Sequence, residues 1–554
     1  MHIILIKFAP MSSHLGSPAH YIFERMICKF RNYPTIPKHF LTVDMEHLLA
    51  SFLFPFTILL FIFMVMLRIW RKSKTCNSTL NLPPGPWKLP LIGSLHCLAG
   101  SVLPHHTLRD LAMKYGPLMH LQLGEVTNIV ISSPETAKEV MKTHDIIFSQ
   151  RPFIPSASLV SYNSTDIAFS RYGDYWRQLR KICSSELLTA SRVRSFRSIR
   201  EEQTSKFVRF VSSRAGSPIN FSRMMDSLTF SIISRAAFGK IWKGEEEFVP
   251  TMKKLGETLG DFNLADLYPS IKLLQVISGM KPRLKRLHQT VDKIIENIVN
   301  EHRTRKVKAK SVAVGEEEDL VDALLNIQDK GDLEFPLTTE NIKAVILDIF
   351  IGGSDTSSTP VEWAMSEMLK NPRVMIKAQE EVRRIFYAKG DIDEAGLQEL
   401  NYLKLVIKET LRLYPPVPLL VPRECRESCI INGYHIPEKS KVIVNAWAIG
   451  RDPNYWSEAE RFYPDRFLDN SIDYKGTNFE FILFGAGRRM CPGILFGMAN
   501  VELPLAQFLY HFDWELPCGL KPENLDMTEA LNITMRRRNP LYAIPIPYLP
   551  PPVE

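Results

Sequence analysis

The run Phe484-Gly485-Ala486-Gly487-Arg488-Arg489-Met490-Cys491-Pro492-Gly493 sets one cysteine in a loop of glycine, arginine and proline, directly ahead of the apolar residues Ile494, Leu495, Phe496, Met498 and Ala499. That apolar run predicts a helix. Cys491 therefore stands at a helix start, where first-turn N–H groups and nearby arginines favour a deprotonated sulfur, either metal-bound or reactive. Gly487 and Gly493 lack a Cβ and allow tight turns and the close approach of a flat ligand. A second stretch, Ala344 to Met368, is apolar with helical spacing yet carries Gly352-Gly353-Ser354-Asp355-Thr356-Ser357 at its middle and Pro360 beyond. Each glycine costs a helix about 1 kcal/mol relative to alanine, and Pro360 removes the donor for the Thr356 carbonyl. Such a helix is predicted to be disturbed there, with that carbonyl free for water or a ligand.

The cysteine loop resembles the haem-thiolate loop of cytochromes P450, F-x-x-G-x-R-x-C-x-G, at its fixed positions Phe484, Gly487, Arg489, Cys491 and Gly493. Four further stretches are similar to motifs of the same family, in order: Trp176 to Arg180 (W-x-x-x-R), Gly352 to Ser357 (A/G-G-x-D/E-T-T/S), Glu409 to Arg412 (E-x-x-R) and Pro464 to Phe467 (P-x-R-F). Their joint occurrence by chance is negligible. The resemblance covers residues 45 to 548. It implies a mainly α fold with small β-sheets, the cytochrome P450 fold, behind a single N-terminal transmembrane helix.

The same resemblance assigns roles. Cys491 is the axial ligand of haem b, in a loop that Phe484 opens. Asp355 and Thr356 organise protons for dioxygen, and Gly353 leaves room for O2. Trp176 and Arg180, one helical turn apart, reach a haem propionate, with Arg489 and Arg423 as further partners. Glu409, Arg412 and Arg466 form a buried structural triad. Within the family, Pro86 to Pro90, Tyr172 to Arg177 and Val417 to Glu424 resemble plant microsomal enzymes that oxygenate sesquiterpenes.

The implied reaction is monooxygenation, in which one atom of O2 enters a C–H bond. Electrons come from NADPH through NADPH-cytochrome P450 reductase, with cytochrome b5 as a further partner. No G-x-G-x-x-G follows a strand, so the chain carries no nicotinamide site of its own. Segments that face the distal pocket in the family, 153–169, 345–350, 417–421 and 531–534, are mainly apolar and offer no carboxylate clamp. A sesquiterpene or diterpene fits them best, with indole alkaloids and flavonoids as alternatives. Two other classes stay open: a reductase-independent isomerase or dehydratase on the same fold, and a haem-binding membrane protein without turnover. The intact Asp355-Thr356 pair disfavours both.

The chain that must position these motifs has 554 residues, 45% of them hydrophobic and 23% charged, ordinary values for a protein with a sizeable core. A net charge of +8 is modest for this length and gives no argument for nucleic acid. The eight cysteines follow no repeated spacing, so neither a disulfide framework nor a zinc site is indicated. Cys425 and Cys429 are close together, but their connection Arg426-Glu427-Ser428 reads as exposed and the pair is given no role.

Four regions are expected. Residues 1–44 form an atypical extension. Residues 45–74 are a membrane anchor: the uncharged run Leu48 to Leu67 is long enough to span a bilayer, and Arg68, Arg71, Lys72 and Lys74 close it. By the positive-inside rule, all that follows is cytosolic, which implies the endoplasmic reticulum membrane for a microsomal enzyme. Residues 75–90 are a linker holding the stiff Pro83-Pro84-Gly85-Pro86, similar to a family hinge, and 91–554 are the catalytic domain. Hairpins are predicted at Gly124-Glu125 and Asn432-Gly433, and helices over 174–212, 285–310, 338–370, 373–387 and 399–413.

Overall fold

Both expected hairpins are present in the computed structural model, which describes residues 81–100, 102–239, 245–260, 263–309, 318–387, 392–531 and 534–548, with parts of 53–67. Leu118–Leu123 (β1) pairs antiparallel with Val126–Ile131 (β2), leaving Gly124 at φ 60° and Glu125 as the turn. The other strands are Ile219–Asn220 (β3), Arg423–Glu424 (β4), Cys429–Ile431 (β5), Tyr434–Ile436 (β6), Lys441–Val444 (β7), Phe512–Glu515 (β8), Glu529–Leu531 (β9), Met535–Arg537 (β10) and Tyr542–Pro547 (β11). Asn432 and Gly433 join β5 to β6 with φ of 50° and 79°, both left-handed, as a primed hairpin turn requires. The largest sheet runs β1-β2-β7-β4, with β2 and β7 parallel. A second sheet runs β3-β11-β8, and β9 pairs with β10.

Helices supply most of the remainder, and five frame the candidate site: Asp174–Ile182 (α1), Phe221–Phe238 (α2), Thr339–Lys370 (α3), Asn401–Leu413 (α4) and Ile494–His511 (α5). Helix α3 begins in a capping box, in which Thr338 accepts from the Asn341 N–H and the Asn341 side chain returns to the Thr338 backbone. Contrary to expectation, it runs unbroken for 32 residues through both glycines and Pro360. The reason is packing: residues 357–369 are buried without exception, and that burial outweighs about 1 kcal/mol per glycine. Trp363 on this helix stacks on Tyr414 at 3.9 Å. The predicted helix over 174–212 is interrupted after α1 by a π turn at Cys183–Leu187, and Thr189 caps the next helix by accepting from the Arg192 N–H.

The chain divides into residues 1–79 and 80–554. The extension 1–44 and the basic flank 68–74 lie outside the described residues. Within the predicted span 48–67, the described residues are helical, and Phe56, Leu59, Phe61 and Phe63 are exposed. Among the described residues no helix is long and apolar enough to cross a membrane. The proline segment read as a linker belongs to the second unit. Its Pro84 carbonyl accepts from the His120 N–H of β1 at 2.8 Å, and a Cβ on Gly85 would lie 2.0 Å from the His120 carbonyl oxygen.

Behind the sheet, Glu409 and Arg412 of α4 are fully buried and paired through two bonds of 2.8 Å. Arg466 donates to the same carboxylate at 3.0 Å, and Arg412 also donates to the carbonyls of Gly450 and Ala459 at 2.6 Å. The Tyr463 N–H adds a bond of 2.8 Å, so this one carboxylate ties α4 to the chain from Gly450 to Arg466. Glu409→Ala would strand two buried guanidinium groups, at a cost of about 3–5 kcal/mol. Denaturant unfolding should show that loss; a variant within 1 kcal/mol of the parent would remove the triad from the account.

Candidate active site

The cysteine loop is closed on itself and anchored at its back. Cys491 N–H donates to the Phe484 carbonyl at 3.0 Å, and the Phe484 ring packs edge-on against Tyr474 at 5.4 Å. Gly487 sits at φ 66°, where a Cβ would meet the Met141 carbonyl oxygen at 2.3 Å and Asp145 Oδ1 at 2.5 Å, so no other residue fits. Asp145 accepts from the backbone N–H of Arg488 at 3.1 Å, from the Arg488 side chain at 3.0 Å and from Arg423 at 3.3 Å. Arg423 also donates to the Ala486 carbonyl at 2.6 Å. Arg423, which the resemblance offers as a propionate partner, is held by these bonds as a clamp on the loop backbone.

Cys491 as a residue is half-buried. Burial pushes the Cys491 thiol up, while the Gly493 N–H and the Arg180 charge pull it down. Arg180 sits in α1 with Trp176, and no hydrogen bond or ion pair of its guanidinium is found among the described residues. Arg489 donates to the carbonyls of Ser149 (2.8 Å), Ser170 (2.6 Å) and Ile167 (3.3 Å), and lies 4.1 Å over the Trp176 ring. The Trp176 indole N–H is likewise engaged by the Ile167 carbonyl, at 3.1 Å. Burial and the charges of Arg423 and Arg180 hold Arg489 down at about 9. Arg151, which the sequence reading passed over, is caged by the carbonyls of Ala168, Val421 and Pro422 at 2.6–2.8 Å.

This donor set carries an excess of positive charge. Among the described residues, the carboxylates that act on Arg151, Arg180, Arg423 and Arg489 are Asp145 and Asp166. A buried region of that kind calls for an anion, and two propionates below a flat macrocycle answer it. The residues present fit haem.

On the other side, α3 presents Gly352, which is exposed with nothing within 4 Å of an added Cβ. Gly353 is different: its added Cβ would lie 3.2 Å from Ile233 Cδ1 of α2. Adjacent on α3 and so about 100° apart around it, Gly352 opens on free space while Gly353 permits close packing against α2. Thr356 Oγ1 donates to the Gly352 carbonyl at 2.5 Å, and Ser354 Oγ to Phe350 at 2.7 Å. Next to Thr356, Ser357 faces α5, where a Cβ on Gly497 would lie 3.8 Å from its Oγ. The cysteine loop and the glycine stretch are thus brought to one place. Asp355 forms an ion pair with Arg536 of β10. Arg536 also pairs with Asp226 at 2.8 Å, and Ser358 donates to Asp226 at 3.0 Å. Burial raises Asp355 against the pull of Arg536.

One lining assignment changes. Of 345–350, Val345, Ile346, Leu347 and Phe350 are core, with Phe350 stacked on Phe238 at 4.9 Å; a helix has an inner and an outer face, and a contiguous stretch samples both. Residues 532–533 lie outside the described residues. Asp348, between those core positions, accepts from the Ile167 N–H at 2.6 Å and hydrogen-bonds to Asp166, whose carboxylate accepts from the Phe169 N–H. This acid pair holds the loop 165–170, whose carbonyls receive Trp176, Arg151 and Arg489.

With this geometry in view, the comparisons are consistent. The Cytochrome P450 family profile matches residues 83–543. Over 493 residues the chain is 53% identical to premnaspirodiene oxygenase of Hyoscyamus muticus, covering 89% of this chain and 98% of that protein. Over 492 residues it is 55% identical to desmethyl-deoxy-podophyllotoxin synthase of Sinopodophyllum hexandrum, covering 89% and 96%. A zebra fish cytochrome P450 solved with progesterone superposes with a TM-score of 0.70 at 24% identity, over 81% of this chain and 100% of that one. Fold and relatives define an oxidoreductase of the monooxygenase class. The chain belongs to the cytochrome P450 family, and membership implies haem held through a cysteine thiolate, with O2 as co-substrate.

The acid pair makes a pH prediction. Burial pushes Asp166 up to about 6, and burial with the Asp166 charge raises Asp348 well above the carboxylate range. A carboxyl raised on folding stabilises at low pH and gives that up as pH climbs through the raised value. Melting temperature should therefore fall more steeply in the parent than in Asp348→Asn, which keeps a neutral donor and acceptor there, as pH rises from the ordinary aspartate value of about 4 through 6 and beyond. Parallel curves would contradict the shared proton.

Proposed function

We propose that this enzyme hydroxylates an apolar terpenoid, a sesquiterpene or diterpene, at the cytosolic face of the endoplasmic reticulum membrane, with electrons from NADPH through a reductase. Cytochrome b5 is a second candidate donor. The observation that carries the reading is the packing of α5, which directly follows the Cys491 loop, against α3 beside Thr356, where Ser357 Oγ lies 3.8 Å from the place a Cβ on Gly497 would take. Bound haem supplies one-electron chemistry and oxygen activation, with thiolate donation favouring O–O cleavage.

The residues of the chain do the rest. Cys491 supplies the sulfur ligand, its charge stabilised by the Gly493 N–H and Arg180. Arg180 and Arg489 hold the propionates, Trp176 keeps Arg489 in place beneath its guanidinium plane, and Arg423 and Phe484 keep the loop in shape. Thr356 anchors its hydroxyl proton on the Gly352 carbonyl and so turns a lone pair outward, ready to accept from water. Asp355 takes protons from the side of Arg536 and Asp226 and passes them towards Thr356. For the substrate, Leu419, Leu420, Val421 and Ile349 offer partly exposed apolar surface without a charged group among them. The name of the Hyoscyamus relative supports a terpenoid, with an indole alkaloid or a flavonoid as the second reading.

Two measurements test this. Thr356→Ala should bind haem and substrate as before and still consume NADPH, because neither needs the hydroxyl. Product per NADPH should fall towards the roughly hundredfold that positioned proton transfer contributes, with peroxide released instead. Unchanged coupling with a sesquiterpene panel would move proton delivery elsewhere. For topology, Asn163 is exposed within Asn-Ser-Thr, and a cytosolic body must leave it unmodified in microsomes. A glycan there would reverse the orientation.

A further inference from the structure

Cys425 and Cys429 flank a short exposed bulge, and the sheet brings their sulfurs together. Cys425 follows β4, and its backbone is tied to the turn before β7: its N–H donates to the Ser440 carbonyl at 2.9 Å, and its own carbonyl accepts from the Lys439 N–H at 2.7 Å. Cys429 opens β5 and lies opposite Ile436 of β6. Because β6 leads straight into that turn, both ends of the bulge Arg426-Glu427-Ser428 are fixed by one hairpin. The two thiols are close enough for their side chains to interact, and Cys425 Sγ donates its proton to the Glu427 carbonyl at 3.0 Å. Cys425 is fully buried, whereas Cys429 is half-buried and reachable from solvent.

We propose that Cys425 and Cys429 form a peroxide-reactive dithiol, in which Cys429 is the sulfur first oxidised and Cys425 the one that resolves it. The Cys429 thiolate attacks hydrogen peroxide, forming an S–O bond as the O–O bond breaks, and leaves a sulfenic acid and hydroxide. Cys425 then displaces the sulfenic oxygen as water and closes the disulfide. In sum, two thiols and one peroxide give one disulfide and two waters, with both sulfurs oxidised and peroxide reduced. The division of roles follows from access and from charge. The neighbouring Cys425 side chain lowers the Cys429 thiol, against burial and the Glu427 charge, while the Cys429 side chain and burial raise Cys425. A lowered, accessible thiol beside a resolving partner is the arrangement that redox-responsive cysteines share. Cys97 and Cys183, by contrast, are raised by burial. The proposal does not rest on the substrate assignment, since peroxide from any source suffices.

The test uses the full-length holoprotein treated with hydrogen peroxide, then differential alkylation and peptide mapping. The expected result is a peptide spanning 425–429 that has lost two hydrogens and both alkylation sites, formed at least severalfold faster than oxidation at Cys97 or Cys518. In Cys425→Ser, dimedone should label Cys429 as the trapped sulfenic acid; in Cys429→Ser, Cys425 should stay alkylatable. Free alkylation of both residues under peroxide that oxidises Cys518 would overturn the proposal, as would dimedone on Cys425 with none on Cys429. The parent peptide map decides the disulfide even where a variant fails to fold.

Discussion

The Cys491 sulfur and a group of guanidinium ions share one largely buried region, and the described residues place few carboxylates beside the arginines. Burying a guanidinium without a counter-charge costs several kcal/mol, which is the strain visible in Arg489 being held at about 9. The protein offsets this with carbonyls rather than acids. Arg489 and Arg151 are each caged by backbone oxygens of the 167–170 loop and its neighbours, which stabilise the cations without cancelling their field. That surplus field is what an anionic cofactor meets, and it also helps a thiolate exist at Cys491.

Everything around this region works to keep it rigid. Gly487 lets the loop press against the Met141 carbonyl, Asp145 gathers three donors at its back, and Glu409 locks the chain behind it. On the far wall, α3 is pinned to α2 through Gly353 and to α5 through Ser357. Its one exposed glycine, Gly352, then stays aimed at the same space, with the Thr356 hydroxyl bonded across it. Function follows from placing a soft ligand on one side and a hydroxyl on the other, neither free to drift.

How much of this was legible in the sequence depended on range. Motifs carried by neighbouring residues were readable: the cysteine loop, the Glu409-Arg412 spacing, both hairpins and the extent of α3. What could not be read were partners far apart in the chain. Asp145 meets the loop across 343 positions, Asp348 meets Ile167 across 181, and Arg536 meets Asp226 across 310. No local period marks such pairs. Helical phase was the other limit. Gly352 and Gly353 are adjacent letters, yet one faces open space and the other Ile233, and only the packing of α2 against α3 decides which. Propensity likewise predicted a disturbed helix where burial keeps a continuous one.

The most direct test of the account is the absorption spectrum of the carbon monoxide complex of the reduced, full-length holoprotein, taken for the parent and for Cys491→Ser. Thiolate ligation by Cys491 predicts the red-shifted Soret band in the parent and its loss in the variant, with haem still retained through Arg180 and Arg489. A red-shifted band that survives in Cys491→Ser would contradict the central assignment, since the sulfur ligand would then lie elsewhere in the chain.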